Sequence, residues 1–348
     1  MQILFQLRLK KIFLLLLTIS LFSCSKEKLN LNELNETIFV RHKGADMPAY
    51  IHGNGSEKVF LIILHGGPGG NGLVYKTSSI GSQVEKNNVV VYFDQRGSGN
   101  SQGNYSKEDL NVNTMAEDVI ALAKVIKAKY GQDSKLFLMG HSWGGTLGPA
   151  TLLKNQSLFS GWIDVAGSHD PKGTYDAYKT FFTNTANEQI GLGNSLDFWQ
   201  NLLDLTQNVG SEFSPEDFIT LNKEAHKAEE ILIKDGLVFE ATSEGSISQN
   251  ELTLKWNSMQ ATLYVTFKSN HYETVSFTER LKEINLPSIV LWGKYDLVVP
   301  TLFAQEAYDN LGSVDKEMFI FENSAHSPMF NEPDLFADKV IGFINKHK

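Results

Sequence analysis

Residues 135–150, Lys-Leu-Phe-Leu-Met-Gly-His-Ser-Trp-Gly-Gly-Thr-Leu-Gly-Pro-Ala, decide how the rest of the chain is read. Residues 135–139 have the apolar character and length of a strand, and residues 146–154 read as a helix. Between them stands Gly140-His141-Ser142-Trp143-Gly144, a G-x-S-x-G pattern. Its glycines let two backbone segments approach while the chain turns sharply enough to lift the Ser142 hydroxyl above a sheet. Without that context the pattern is only a tight turn carrying an unreactive serine. Here the strand, turn and helix follow in the order the motif requires.

Working outward, residues 37–41, 50–52, 58–64 and 88–93 read as strands, the last containing three consecutive valines suited to a sheet buried on both faces. Residues 114–130 place Met115, Val119, Leu122, Val125 and Ile126 on one helical stripe, with Lys127, Lys129 and Gly131 marking the end. Residues 161–166 resume the strand signal. This alternation of strand and helix predicts an α/β fold, a mostly parallel sheet with helices on both faces. From His169 to about Lys282 the pattern becomes helical and aromatic-rich, with Tyr175, Tyr178, Phe181, Phe182, Phe198 and Trp199 among its aromatic residues. Strands at 288–292 and 317–321 and helices at 301–311 and 333–347 complete the chain. The expected organisation is a core of residues 37–167 and 284–348, interrupted by a helical cap at 168–283.

The 348 residues are 42% hydrophobic and 20% charged, a globular composition. The formal charge is −9, and since residues 1–23 hold Arg8, Lys10 and Lys11 without an acid, the remainder carries −12. That balance argues against a nucleic-acid partner, because phosphate binding needs a basic footprint. The single cysteine, Cys24, removes intrachain disulfides and Cys-rich zinc sites. No H-E-x-x-H or G-x-x-x-x-G-K pattern occurs, so neither a metal nor a cofactor is expected.

A serine hydroxyl near its free pKa is a poor nucleophile and needs a base that is itself held by an acid. After a G-x-S-x-G turn these partners follow as acid and then histidine. Asp296 lies just past the strand at 288–292, and His326 lies in the loop between the last strand and the last helix. Both positions project to the sheet edge that carries Ser142. The reading therefore assigns Ser142, Asp296 and His326 as a catalytic triad, with the Trp143 and Gly67 N–H groups as oxyanion donors. His65 and His141 flank this site and are read as shaping loops.

Gly67-Pro68-Gly69-Gly70-Asn71-Gly72 also satisfies G-x-G-x-x-G after a strand, and Asp94 follows near the end of the next strand, as in a dinucleotide fingerprint. Such a fingerprint aims backbone N–H groups at a pyrophosphate, and Pro68 has none to offer. The glycines are better used in the oxyanion loop. Asp94-Gln95-Arg96-Gly97-Ser98-Gly99 is read as a buried loop support in which Arg96 bonds carbonyls or Asp94.

His65-Gly66-Gly67-Pro68-Gly69-Gly70, Asp94-Gln95-Arg96-Gly97-Ser98-Gly99, Gly140-His141-Ser142-Trp143-Gly144-Gly145 and Trp292-Gly293-Lys294-Tyr295-Asp296 together resemble the prolyl aminopeptidases, or proline iminopeptidases, of the α/β-hydrolase fold (serine peptidase family S33). The resemblance covers about residues 37–348. It implies a helical cap over the site, the same triad and oxyanion donors, and a short peptide substrate with an N-terminal proline or small residue. His141 stands where that family usually has glycine. The family's Trp-rich cap motif, with a glutamate for the substrate amine, is not found, leaving Glu224, Glu229, Glu230 and Glu240 as unassigned candidates. A carboxylester or other small-molecule acyl hydrolase would use the same catalytic loops, and a binding protein that kept the fold without the chemistry is the alternative of a different class.

At the start of the chain, Arg8, Lys10 and Lys11 precede the apolar run 12–22, the layout of a secretory signal and too short for a first reading as a membrane span. Leu21-Phe22-Ser23-Cys24 resembles the lipobox of bacterial lipoproteins. The expectation is a signal peptide at 1–23, acylation of Cys24, a polar tether at 24–36, and an exported protein held at a membrane by its lipid, on the periplasmic or cell-surface side. Several acyl chains on one terminus hold a bilayer stably, whereas one of myristoyl length does so marginally. Cys24→Ala is accordingly expected to shift the protein out of the detergent-dependent membrane fraction or to block its processing, as read by fractionation and intact mass.

Overall fold

A computed structural model of the chain describes residues 30–348 except 211, 244–246, 248 and 270. The expected signal peptide, Cys24 and most of the expected tether lie outside the described residues. Among the described residues nine strands form one sheet: β1 (Leu34–His42), β2 (Ala45–Gly53), β3 (Val59–Leu64), β4 (Val89–Phe93), β5 (Gln102–Gly103), β6 (Lys135–His141), β7 (Gly161–Val165), β8 (Ser288–Gly293) and β9 (Lys316–Phe321). Their order is β1-β2-β4-β3-β6-β7-β8-β9, with β5 paired to β2. β1, β2 and β4 pair antiparallel, and every pairing from β4 through β3 to β9 is parallel.

The strands buried at every position are β3, β4, β7 and β8, and β3 and β4 accordingly read as continuous apolar runs rather than alternations. Strand β1 begins at Leu34, inside the stretch read as tether. Leu34 is buried and pairs with Gly53, so the ladder satisfies this backbone even though the neighbouring side chains are polar and face water. Composition alone could not show that partner.

The helix α1 (Val112–Tyr130) is capped by Asn111, whose Oδ1 accepts the Thr114 N–H at 2.9 Å, and it stops at Gly131 with φ +129°. Helix α2 (Gly144–Asn155) follows β6 directly. Between β7 and β8 the described residues contain helices and no strand: the longer ones are α3 (Pro171–Leu192), α4 (Leu196–Asn208), α5 (Pro215–Lys234) and α6 (Glu251–Ala261). Helices α7 (Leu302–Asn310) and α8 (Pro333–His347) flank β9, and α8 packs Phe336, Val340 and Phe343 into the same core as Ile63, Phe137, Ile163 and Leu291. Among the described residues no helix is long and apolar enough to cross a membrane.

The parallel register brings the carboxyl ends of β3, β4, β6, β8 and β9 to one edge. Leu64 lies beside both Phe93 and Gly140, and Gly293 lies beside Phe321. The loops carrying Gly67, Asp94, Ser142, Asp296 and His326 all leave from there.

Candidate active site

Ser142 sits at the turn between β6 and α2 with φ +56°, a left-handed conformation that costs a non-glycine residue energy unless its surroundings hold it. They do. The Ser142 N–H donates to the Val165 carbonyl at 3.1 Å, and its own carbonyl accepts the Gly145 and Ser168 N–H groups at 2.8 and 2.9 Å. The flanking glycines are there for space. A Cβ on Gly144 would stand 2.1 Å from the Leu64 carbonyl oxygen, and one on Gly140 would stand 2.3 Å from the Gly144 carbonyl oxygen.

His326 leaves the end of β9 and presents its Nδ1 to Asp296 Oδ2 at 2.9 Å. A carboxylate can only accept, so Nδ1 carries the proton and Nε2 is left as the basic nitrogen. The other oxygen of Asp296 accepts the Val298 and Val299 N–H groups at 3.0 and 2.8 Å, which fixes the carboxylate plane. Both side chains are nearly without solvent contact. Burial pushes the imidazole below its ordinary value, so His326 is a neutral base near pH 7.

Ser142 and His326 line one cavity of about 360 Å³ together with Gly67 and Trp143, so four of the five residues expected from the sequence border it, and Asp296 lies behind His326. Gly67 has φ +145°, and a Cβ there would press to 2.6 Å from the Gly69 nitrogen. Among the described residues neither the Gly67 nor the Trp143 N–H has an acceptor.

Buried side chains bind these loops to one another. Gln95 donates to the His65 carbonyl at 3.1 Å and accepts the Trp143 indole N–H at 2.9 Å. The Gln95 N–H reaches His65 Nε2 at 3.3 Å, so His65 Nδ1 is the protonated nitrogen and donates to the Gly66 carbonyl at 2.7 Å. Asp94 accepts the Gly72 and Asn100 N–H groups, both at 2.8 Å, so its carboxylate closes loops rather than meeting a ribose. Arg96 bonds the His42 and Lys43 carbonyls, as the carbonyl reading expected, but its acid is Asp118 on α1, at 2.7 and 2.8 Å, and not Asp94.

A second network was not legible in the sequence. Tyr75 accepts the Gly66 N–H at 2.9 Å and meets His141 Nδ1 at 2.7 Å, while His141 Nε2 meets the His326 carbonyl at 2.9 Å. A carbonyl cannot donate, so His141 Nε2 holds the proton, Nδ1 accepts, and the Tyr75 hydroxyl is the donor. Burial pushes His141 down to about 3 and raises the Tyr75 phenol, which keeps both neutral. Three loops are thereby joined through one imidazole. No motif marks Tyr75, which lies in an ordinary 3-10 turn.

From the inserted helices the cavity receives Thr174, Phe218, Asn222 and His226. None of its lining residues among those described is a carboxylate. Of the four candidate glutamates, Glu230 and Glu240 are exposed, Glu224 pairs with Lys227, and Glu229 is buried beneath the cavity wall.

A family profile described as alpha/beta hydrolase fold matches residues 59–333. A probable aminopeptidase of Bacillus subtilis is 27% identical over 316 residues, covering 85% of this chain and 92% of its own length. A proline iminopeptidase of Saccharolobus solfataricus is 26% identical, covering 82% and 84%. Among solved structures, a proline iminopeptidase-related protein of Thermus thermophilus aligns with TM-score 0.60 at 19% identity, covering 90% of this chain and 98% of that one. An esterase of Exiguobacterium antarcticum aligns with TM-score 0.57 at 18% identity, covering 90% and 100%.

Replacing Tyr75 by Phe removes the partner of the half-buried Gly66 N–H and of the buried His141 Nδ1. At about 1–3 kcal/mol for an unsatisfied buried group, Tyr75→Phe is expected to lower unfolding stability by about 1 kcal/mol or more, chiefly through His141 Nδ1, measured by urea denaturation.

Proposed function

The chain belongs to the α/β-hydrolase fold family, and we propose that it is a serine hydrolase working through an acyl-enzyme. The observation that carries this reading is the Asp296–His326 hydrogen bond, which leaves the His326 Nε2 basic beside a cavity that Ser142 also lines. In this reading Ser142 Oγ attacks the substrate carbonyl carbon as His326 Nε2 takes its proton. Asp296 holds the imidazole in the required tautomer and stabilises the imidazolium. The Gly67 and Trp143 N–H groups receive the oxyanion, a contribution of about 10²–10³ in rate per donor. His326 then gives the proton to the departing amine or alcohol. Finally it activates the water that releases the acyl group and restores Ser142.

For the substrate, the first reading is a short peptide with a free N-terminal amine and proline or a small residue in first place. It is supported by the aminopeptidase and proline iminopeptidase relatives, which align over most of their length. A second reading, a carboxylester or other small-molecule acyl hydrolase, is favoured by the uncharged cavity lining. Burying a substrate ammonium without a carboxylate costs several kcal/mol, whereas an ester needs only apolar walls and the oxyanion donors. We also propose export and anchoring through Cys24.

A fluorophosphonate probe is expected to label the wild-type protein and not Ser142→Ala; an unlabelled wild type would instead support a binding protein on the same fold. The acid limb of kcat/KM is expected below the ordinary imidazole value of about 6.5, because protonated Nε2 cannot accept the serine proton and burial holds that protonation to lower pH. A profile that already falls between pH 8 and 7 would contradict this. For the substrate, the comparison is a proline arylamide with its amine free, the same compound acetylated, and a short acyl ester. The peptidase reading expects the free amine to be preferred by about tenfold or more, a difference of about 1.4 kcal/mol. Equal arylamide rates with faster ester cleavage would select the second reading.

A further inference from the structure

One buried carboxylate reaches the catalytic loops from the inserted helices. Glu229 lies on α5, and its Oε1 accepts the Leu297 N–H and the His326 N–H, each at 3.2 Å. Leu297 is the residue after Asp296, and the second donor is the backbone of His326 itself. A single oxygen therefore ties the loop after β8 to the loop after β9, which are 30 residues apart in the chain. Asp296 also joins these loops through the imidazole, and the Tyr295 N–H does so through the Ser324 carbonyl at 3.0 Å, but the His326 N–H itself is held by Glu229, since Asp296 Oδ1 is occupied by Val298 and Val299 and Oδ2 faces the imidazole. Glu229 does not line the cavity, which separates it from any role as a ligand for the substrate amine. Its helix does: Phe218, Asn222 and His226 border the cavity, and positions 218, 222, 226 and 229 fall on one helical face.

We propose that Glu229 is a positioning residue that holds the acid loop and the base loop in register, so that productive geometry at His326 requires α5 to be seated. This rests on the triad reading above. The role asks for a hydrogen-bond acceptor at that spot and not for a charge. Burial, and after it the neighbouring Asp296, raises the Glu229 carboxyl well above its ordinary value. Glutamine has the same shape and presents the same acceptor oxygen. Aspartate keeps the acid but withdraws the oxygen by one methylene, and leucine removes it.

The test compares the purified wild type, Glu229→Gln, Glu229→Asp, Glu229→Leu and Ser142→Ala, with near-UV circular dichroism to establish that each is folded. Fluorophosphonate labelling rates are measured on all five, together with kcat and KM on whichever arylamide or ester the wild type cleaves. Glu229→Gln is expected to stay within about threefold of wild type in labelling rate and kcat. Glu229→Asp and Glu229→Leu are expected to lose at least about thirtyfold in both with KM within about threefold, since a misplacement on the order of 1 Å at a catalytic group can cost 10²-fold. If Glu229→Leu does not fold, the comparison of Glu229→Gln with Glu229→Asp decides alone. Wild-type rates in Glu229→Asp overturn the proposal, as does a loss in Glu229→Gln equal to that in Glu229→Asp. Failure of the triad reading looks different: the wild type itself is not labelled, or Ser142→Ala is labelled equally, and the proposal falls with it.

Discussion

The parallel ladder between β3, β4 and β6 is the constraint on which the rest depends. Parallel strands present all their carboxyl ends on the same side, so any loop that follows a strand emerges at one edge. The ladder sets Leu64 beside Gly140, and α2 then packs its first residue against the Leu64 carbonyl, with no room for a side chain on Gly144. That contact fixes where the chain turns after β6. The left-handed Ser142 is a consequence of the turn, held by the carbonyl of Val165 on the next strand.

Several polar side chains at this edge are buried and bonded to neighbouring loops. Asp94, Gln95 and Arg96 leave β4 in succession and act on different partners: the glycine loop, the indole of Trp143, and the acid of α1. Arg96 and Asp118 are both almost solvent-free, a pair whose attraction offsets its desolvation only when the geometry is good and the remaining donors are satisfied. The bidentate contact and the two carbonyls beyond it meet that condition. His65 and His141 serve as neutral connectors, each with one nitrogen donating and one accepting. Because these groups cannot be removed singly without stranding a partner, the loops form one cooperative unit.

The inserted helices contribute to this unit as well as covering it. Tyr178 on α3 donates to the Val298 carbonyl at 2.7 Å, and Glu229 on α5 accepts from the residue before it, so the loop carrying Asp296 is gripped from two helices. That no carboxylate among the described residues lines the cavity follows from the same packing. The glutamates of α5 either face water or turn inward to backbone donors, leaving Asn222 and His226 as polar contacts for whatever enters.

The sequence by itself determined the strand and helix alternation, the serine turn, the order of serine, acid and histidine, and the glycine loop with its two possible uses. These are legible because they rest on short-range physics: the period of a helix or strand, the space a glycine leaves, the missing N–H of Pro68, and the placement of a loop after a strand. Tertiary structure alone decided the acid that pairs with Arg96, the three loops that Tyr75 and His141 join, the start of β1 at Leu34, and the turning of Glu229 from a candidate substrate ligand into a partner of His326. Each of those depends on which distant segment packs alongside. A side chain's identity states what it can donate or accept, but its partner is settled only when the backbone has brought two remote stretches to within about 3 Å.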